Sequence, residues 1–386
     1  MPLTDADFVE FASRSTAKEG RCVICTKSSV LVVEWSNYNG TSEKPYICKS
    51  CFINMFEKCN VCGYYFHSSY IYSLDNDGEQ LYLCSRCWEM NTAICSCCGN
   101  HIYLPDEDCC ERVDTQDNEL IYCRRCFDSG EHLVFPYSYT PQELMFYESH
   151  KDRKETLFFG IELEVEEPDN ANRADIISKF PDFVFCKHDG SIQHGFEIVS
   201  HPATFNWLLD NQAYWNSILD IRMVGYRSYK TETCGMHVHM SKAAFGNYHL
   251  YKFMQFFYDK HNIDFILNVS QRKSVLLSRW ASCQDSKRNL IYKARYKSYG
   301  EEGKYQAIRL ERRDTVEVRV FRGTLNPQSF WKNIEFCKAL YDFTKYSKVH
   351  DINEIGFRGF LKTKRKMFPN LYNYLWGTKA ALENVC

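Results

Sequence analysis

Residues able to do chemistry fall into two sets, one in each half of this chain. The first set is cysteine in pairs three apart: Cys22 and Cys25, Cys48 and Cys51, Cys59 and Cys62, Cys84 and Cys87, Cys95 and Cys98, Cys123 and Cys126. Two cysteines so spaced in a turn offer both sulfurs to one tetrahedral ion, and two such turns complete a four-thiolate shell. The intervals recur: 22, 21 and 24 residues separate the pairs within a set, and 7 separate one set from the next. Three sequential zinc sites are expected, ahead of redox dithiols or a cross-braced interleaving of pairs. A tyrosine precedes each second pair (Tyr46, Tyr82, Tyr122), and an aromatic follows it (Phe52, Trp88, Phe127). Gly63 and Gly99 stand where a knuckle must turn back towards the metal. Closed four-cysteine shells leave no position for substrate, so the zinc is structural. Cys97, Cys109 and Cys110 are surplus and could replace a ligand in the third site, whereas His67 and His101 read better as solvated side chains.

The second set lies on four segments that alternate with period two, each with one apolar and one ionic face. Phe159, Ile161, Leu163 and Val165 alternate with Glu162 and Glu164. Asp189-Gly190 turns into a strand carrying Glu197. His237 and His239 share a face between Met236, Val238 and Met240, and Glu317 and Arg319 alternate with Val316, Val318 and Val320. Taken singly, each is matched by a bland reading: a solvated face, a turn aspartate, a cross-strand ion pair. Taken together, four faces that carry carboxylate, carboxylate, histidine and arginine form a polar trough suited to divalent cations and phosphate oxygens. Arg309 and Arg322 are further candidates among the basic residues of 270–325.

These strands need a scaffold. Residues 203–222, 247–268 and 328–347 space their aromatic and aliphatic residues as amphipathic helices do, and their aromatics read as core. Strands with segregated helices give an α+β domain, an antiparallel sheet with helices on its apolar side. Residues 131–155, with Pro136, Pro141 and a charged end, read as a linker. The expected organisation is a segment 1–20, cysteine repeats over 21–130, the linker, and a domain over 156–386 whose last stretch, 348–386, closes it with helix.

No GxxxxGK[ST] loop and no strand–GxGxxG–helix is present, so a bound nucleotide would be held through metal ions and arginines. The four segments resemble those of the amidoligases of phages and bacteria, in the carboxylate–amine ligase superfamily with the glutamine synthetase fold. The residues that carry the resemblance, over about 156–340, are Gly160-x-Glu162-x-Glu164, Asp189 with Glu197, Gly235-Met236-His237-Val238-His239-x-Ser241, and Glu317-Val318-Arg319 with Asn326-Pro327 beyond. The resemblance implies a glutamine synthetase-like sheet and an ATP-dependent ligase that joins a carboxylate to an amine through an acyl phosphate. It implies Mg2+ or Mn2+ shared among Glu162, Glu164, Glu197, His237 and Glu317, with Asp189 where relatives often have glutamate. His239 would contact ATP phosphate. Arg319 would stabilise the transferring phosphoryl group, with Arg309 and Arg322 as weaker candidates. The cysteine module lies outside the shared catalytic fold.

A net charge of -2 provides no global field for nucleic acid or anionic membrane. Acidic residues in the cysteine module, among them Glu43, Asp75, Asp77, Asp106, Glu107, Asp108, Asp114 and Asp117, favour a protein or peptide partner over DNA. MPLTDADFVEF has the features of no secretory signal and no apolar run reaches membrane-spanning length, so a cytoplasmic protein is expected, in a host cell if phage-encoded. Paired cysteines in a reducing compartment also mean metal before disulfides. The competing readings are a non-catalytic zinc-finger interaction protein and a ubiquitin-type ligase with cross-braced zinc. Oligomeric state is not legible.

Overall fold

The computed structural model describes residues 3–377 except 29, 35–45, 77, 106–109, 116–117, 142, 153–156, 170, 193 and 299–304; for 30–34, 110–115, 118–119 and 280 it describes the backbone alone. Cys109, Glu43, Asp77, Asp106, Glu107, Asp108, Asp117 and the end of the chain from 378 thus lie outside the described residues, as does the side chain of Cys110. The chain divides into two units, Met1–His132 and Leu133–Cys386.

In the first unit repeats two and three are each two hairpins and a short helix, and repeat one is a three-stranded sheet and a short helix. In repeat two, the strands Phe56–Lys58 and Tyr65–His67 carry Cys59 and Cys62 at their turn. The strands Ile71–Asn76 and Glu79–Cys84 then end on Cys84, which caps the helix Ser85–Asn91 holding Cys87. Repeat three follows the same order with Thr92–Ile94, His101–Tyr103, Cys110–Thr115, Asn118–Cys123 and the helix Arg124–Asp128. The segment before the repeats is not an appendage. Its helix α1 (Asp5–Ser13) is closed by a capping box between Thr4 and Asp7, and buries Phe8 and Phe11 with Phe52, Phe56 and Tyr65 of the repeats. Ala17–Gly20 adds a third strand beside Val30–Glu34.

The second unit is built on one mixed sheet of β1 (Val134–Phe135), β2 (Phe158–Glu166), β3 (Val184–Lys187), β4 (Gly195–Ser200), β5 (Ala203–Thr204), β6 (Gly235–Ser241), β7 (Ile308–Arg309) and β8 (Thr315–Arg322). Its order is β1-β3-β4-β2-β6-β8-β7, with β5 paired to the start of β2. Neighbours are antiparallel except β1 and β3, which run parallel. Two expectations are corrected here: the stretch 131–155 supplies an edge strand, and the sheet is not wholly antiparallel. Val134 belongs to a strand of only two residues, too few to show period two, yet it is buried in the core.

One face of the sheet is apolar. Phe159, Ile161, Leu163, Val165, Phe196, Ile198, Met236, Val238, Met240, Val316, Val318 and Val320 belong to a single buried core. The 20-residue helix Pro327–Tyr346 packs there, with Phe336 against Phe321 at 5.8 Å and Phe330 against Trp215 at 4.7 Å. Asn326 accepts from Ser329 N–H as its N-cap and Pro327 occupies its first turn. That pair therefore has a local structural role. The other expected helices are divided: 203–222 into Phe205–Asp210, Gln212–Leu219 and a 3-10 turn, and 247–268 into Asn247–Tyr258 and Ile263–Ser270. No helix among the described residues is long and apolar enough to cross a membrane.

Candidate functional site

The other face of the sheet gathers the ionic side chains because period-two strands in register stack their alternate positions on one face. The ladder sets Glu162 opposite His237, Glu164 opposite Glu197, His239 opposite Glu317, and Glu317 opposite Arg309. Glu162 Oε2 is 3.2 Å from His237 Nδ1, and Glu162 Oε1 is 3.1 Å from His239 Nε2. His237 Nδ1 is also 3.6 Å from Glu317, and its Nε2 is 3.9 Å from Glu164. Thr315 Oγ1 lies 3.1 Å from His239 Nδ1 and orients that ring from behind. Glu317 is paired with Arg319, and its other oxygen is 3.8 Å from Arg309, which also meets Glu311. Glu164, Glu197, His237 and Glu317 are buried.

Two groups of three that share Glu162 have ligand atoms all within 4.8 Å among the described residues: Glu162 with His239 and Glu317, and Glu162 with Glu197 and His237. Either could hold a metal ion, and Glu162 serves both. The resemblance implied that His237 and Glu317 complete one divalent site, that Glu197 joins the other, and that His239 contacts phosphate. In the structure His239 also belongs to a metal-capable group, because β6 places both rings within reach of the Glu162 carboxylate of β2.

Burial and like charge pull these groups apart. Glu197 is held well above the usual carboxylate range by burial, then by Glu162, Glu164 and Asp189 around it. Glu164 is raised by burial despite His237 nearby. Glu162 is held well below that range: burial opposes its charge, but both imidazoles outweigh it. His239 is raised in turn, since Glu162 outweighs the cost of burial. Arg319 behaves likewise through Glu317. Asp189 caps its own turn, accepting from Ser191 N–H at 2.7 Å and from Ser191 Oγ, and acts on Glu164 and Glu197 through its charge. It joins neither of the two groups of three.

A β-bulge shapes one end of this face. Between the pairs Met236–Phe321 and Val238–Val318, β8 has two residues, Arg319 and Val320, where β6 has only His237. The extra residue returns Phe321 to the core and moves Arg322 to the ionic face, where its guanidinium lies 4.1 Å over the ring of Tyr229. Arg272, which spacing could not single out from its basic neighbours, is buried here. It donates through Nε and Nη2 to the Phe321 carbonyl at 3.1 and 2.9 Å. Burial pulls it down to about 10, with Glu164 opposing. Gly235 makes room for it: a Cβ there would come within 2.5 Å of Arg272 Nη2 and 3.2 Å of His237 Nε2. Among the described residues the Nε–H groups of Arg309, Arg319 and Arg322 are buried without a hydrogen-bond partner. Buried unpaired donors are costly, so their presence fits an anionic ligand that completes them.

In the first unit the pairs come together in sequential sets, as the spacing predicts. Cys22, Cys25, Cys48 and Cys51 form one group, Cys59, Cys62, Cys84 and Cys87 a second, and Cys95, Cys98, Cys123 and Cys126 a third; each could hold a metal ion. The first sulfur of each set accepts the backbone N–H of the third cysteine at 3.4 Å. Such bonds stabilise thiolate: Cys22 is lowered to about 6 and Cys95 to about 7, although burial acts the other way. Gly63 and Gly99 sit at φ 71° and 73°, as a left-handed knuckle requires, and Thr26 takes the same place in repeat one at φ 59°. Cys97 is exposed and belongs to none of these three groups.

No protein-family model and no curated protein sequence matches this chain.

Proposed function

We propose that the second unit is an ATP-dependent carboxylate–amine ligase, and that the cysteine module recruits its peptide or protein substrate. The observation that carries this reading is the juxtaposition of two metal-capable groups sharing Glu162 with three unpartnered guanidinium Nε–H groups. Carboxylate oxygens and imidazole nitrogens suit Mg2+ or Mn2+, and guanidinium donors suit phosphate oxygens. Glu162, Glu197, His237, His239 and Glu317 would hold the divalent ions, with Glu164 at their margin. When bound, those ions neutralise phosphate charge and polarise the group being transferred. Arg319, Arg309 and Arg322 would grip the phosphates in place of a glycine loop. In the reaction, a substrate carboxylate oxygen attacks the terminal phosphorus of ATP and ADP leaves. The amine nitrogen then displaces phosphate from the acyl carbon and gives up a proton, leaving an amide or isopeptide bond.

Zinc is the ion we assign to the three cysteine groups, on their four-sulfur composition. Twelve thiolate ligands suit a reducing compartment such as the cytoplasm under this reading.

The test is magnesium-dependent ATP binding by calorimetry on the whole chain, beside Glu317→Ala and His237→Ala variants checked for folding. Binding that needs the divalent ion and disappears in both variants supports the ligase. No binding by the folded wild type under Mg2+ or Mn2+, with or without cell extract, overturns it in favour of a non-catalytic zinc-finger interaction protein.

A further inference from the structure

Successive joints between the cysteine repeats are built alike. Cys48 to Cys84 and Cys59 to Cys95 are each 36 positions, so Phe52 and Tyr65 at the first joint correspond to Trp88 and His101 at the second. Both pairs are in ring contact, at 5.1 Å for Phe52 and Tyr65 and 4.6 Å for Trp88 and His101.

At the first joint α1 lies over this pair. Phe11 stacks on Phe52 at 4.7 Å and meets Tyr65 at 5.8 Å, while Phe8 is 5.5 Å from Phe52. Carboxylates of the same helix complete the seat. Glu10 accepts from the Tyr65 hydroxyl at 2.7 Å and from Lys58 at 2.9 Å, and Asp5 pairs with Lys49.

At the second joint no helix among the described residues covers the pair. A cleft of about 620 Å³ opens there, lined by Trp88, His101, Tyr103, Asp75, Arg124 and Arg125. Ile94, in the place of Lys58, is 59% exposed, and Tyr72, stacked on Trp88 at 5.1 Å, is 48% exposed. The counterparts of Lys49 and Lys58 are the uncharged Ser85 and Ile94, and positive charge comes from Arg124 and Arg125 on the cleft wall.

We propose that this cleft binds an acidic amphipathic helix of a partner protein. Two aromatic side chains three positions apart would lie on Trp88 and His101, and carboxylates beside them would meet Arg125. The chain's own first joint shows the chemistry of the occupant, because α1 has that composition and fills the equivalent place. A helix docked by two aromatic anchors in a groove with a charged rim is a recurrent recognition mode. The proposal extends the recruiting role of the module and does not depend on ligase chemistry in the second unit.

The probe is a fluorescent synthetic peptide of residues 3–16, titrated into the full zinc-loaded chain and followed by anisotropy. Saturable binding is expected. It should weaken at least tenfold with Trp88→Ala and with Arg125→Glu, and vanish when the peptide carries Phe8→Ala and Phe11→Ala. Arg125 is exposed, so its variant keeps the fold even if Trp88→Ala does not, with zinc content as the check. No binding overturns the proposal. So does binding that ignores Arg125→Glu but is lost with Lys58→Glu, which would put the peptide in the first joint in exchange for α1. Self-association of the chain that the peptide competes away would make the occupant α1 of a second copy, and would overturn the partner reading.

Discussion

Glu162 and His239 meet diagonally across adjacent strands, carboxylate Oε1 3.1 Å from imidazole Nε2, and the second oxygen of Glu162 is 3.2 Å from His237 directly opposite. One carboxylate thus serves both histidines, and it belongs to two metal-capable groups on the sheet. The shared residue is the point at which the site is most easily dismantled.

Glu162→Ala should therefore remove both divalent sites, whereas Glu317→Ala should leave the group of Glu162, Glu197 and His237 intact. Mn2+ titration followed by electron paramagnetic resonance reads the stoichiometry. Two ions are expected for the wild type, one for Glu317→Ala and none for Glu162→Ala. Two ions on Glu162→Ala would refute the bridging role.

The raised carboxyl of Glu197 makes the metal-free second unit sensitive to pH. Its folded form holds a proton well above its ordinary 4.5, so across that interval the native state binds more protons than the unfolded state. Its contribution is full below 4.5 and declines as pH rises. Differential scanning calorimetry from roughly pH 5 to pH 8 should show the transition of this unit falling with pH, and Glu197→Gln should flatten that slope. Mg2+ or Mn2+, which binds the charged form, should raise the transition most at the alkaline end. A wild-type slope unchanged by Glu197→Gln would refute this source of the sensitivity.

The knuckle of repeat one places a β-branched residue where repeats two and three have glycine. Thr26 at φ 59° bears the strain of a left-handed backbone, which costs roughly 1–2 kcal/mol for a non-glycine residue. Thr26→Gly should stabilise the first metal site by about 1 kcal/mol, and Gly63→Ala should destabilise the second by a similar amount. No atom lies within 4 Å of a Cβ built at Gly63, so the second effect isolates backbone conformation from crowding. Chelator titration with a chromogenic zinc indicator would order the three sites; a repeat-one site no tighter in Thr26→Gly would contradict the argument.

Elemental analysis should find three zinc ions on the wild-type chain, and two after Cys22→Ser, Cys59→Ser or Cys95→Ser. Chelation should unfold the repeats, whose buried clusters are small, and leave the helical circular dichroism of the second unit, which rests on an extensive apolar core. Full retention of the repeats' structure after complete metal removal would contradict a folding role for zinc.

The repeats and the sheet faces were readable in residue order because both depend on short, regular spacing. Two cysteines three apart reach one ion whatever surrounds them, and alternation along Phe159–Val165 assigns a face to Glu162 and Glu164 without reference to any neighbour. Period and spacing therefore determined three sequential cysteine groups, an α+β second half, and the identity of the ionic residues that share a surface.

Tertiary structure decided which of those residues meet. Local spacing does not reveal that β2 lies between β4 and β6, yet that order puts Glu162 beside the two histidines of β6 and Glu164 opposite Glu197 of β4. The bulge in β8 is equally silent, since uninterrupted alternation would turn Phe321 outward and Arg322 inward. Arg272 reaches the site from the far end of a helix through a backbone carbonyl, and Val134 enters the sheet from a stretch too short to show a period. Whether α1 covers a joint or leaves it open is likewise a matter of packing between distant segments. Register, bulges and docking are settled by contacts between residues far apart in the chain, where burial of the common core outweighs local preference.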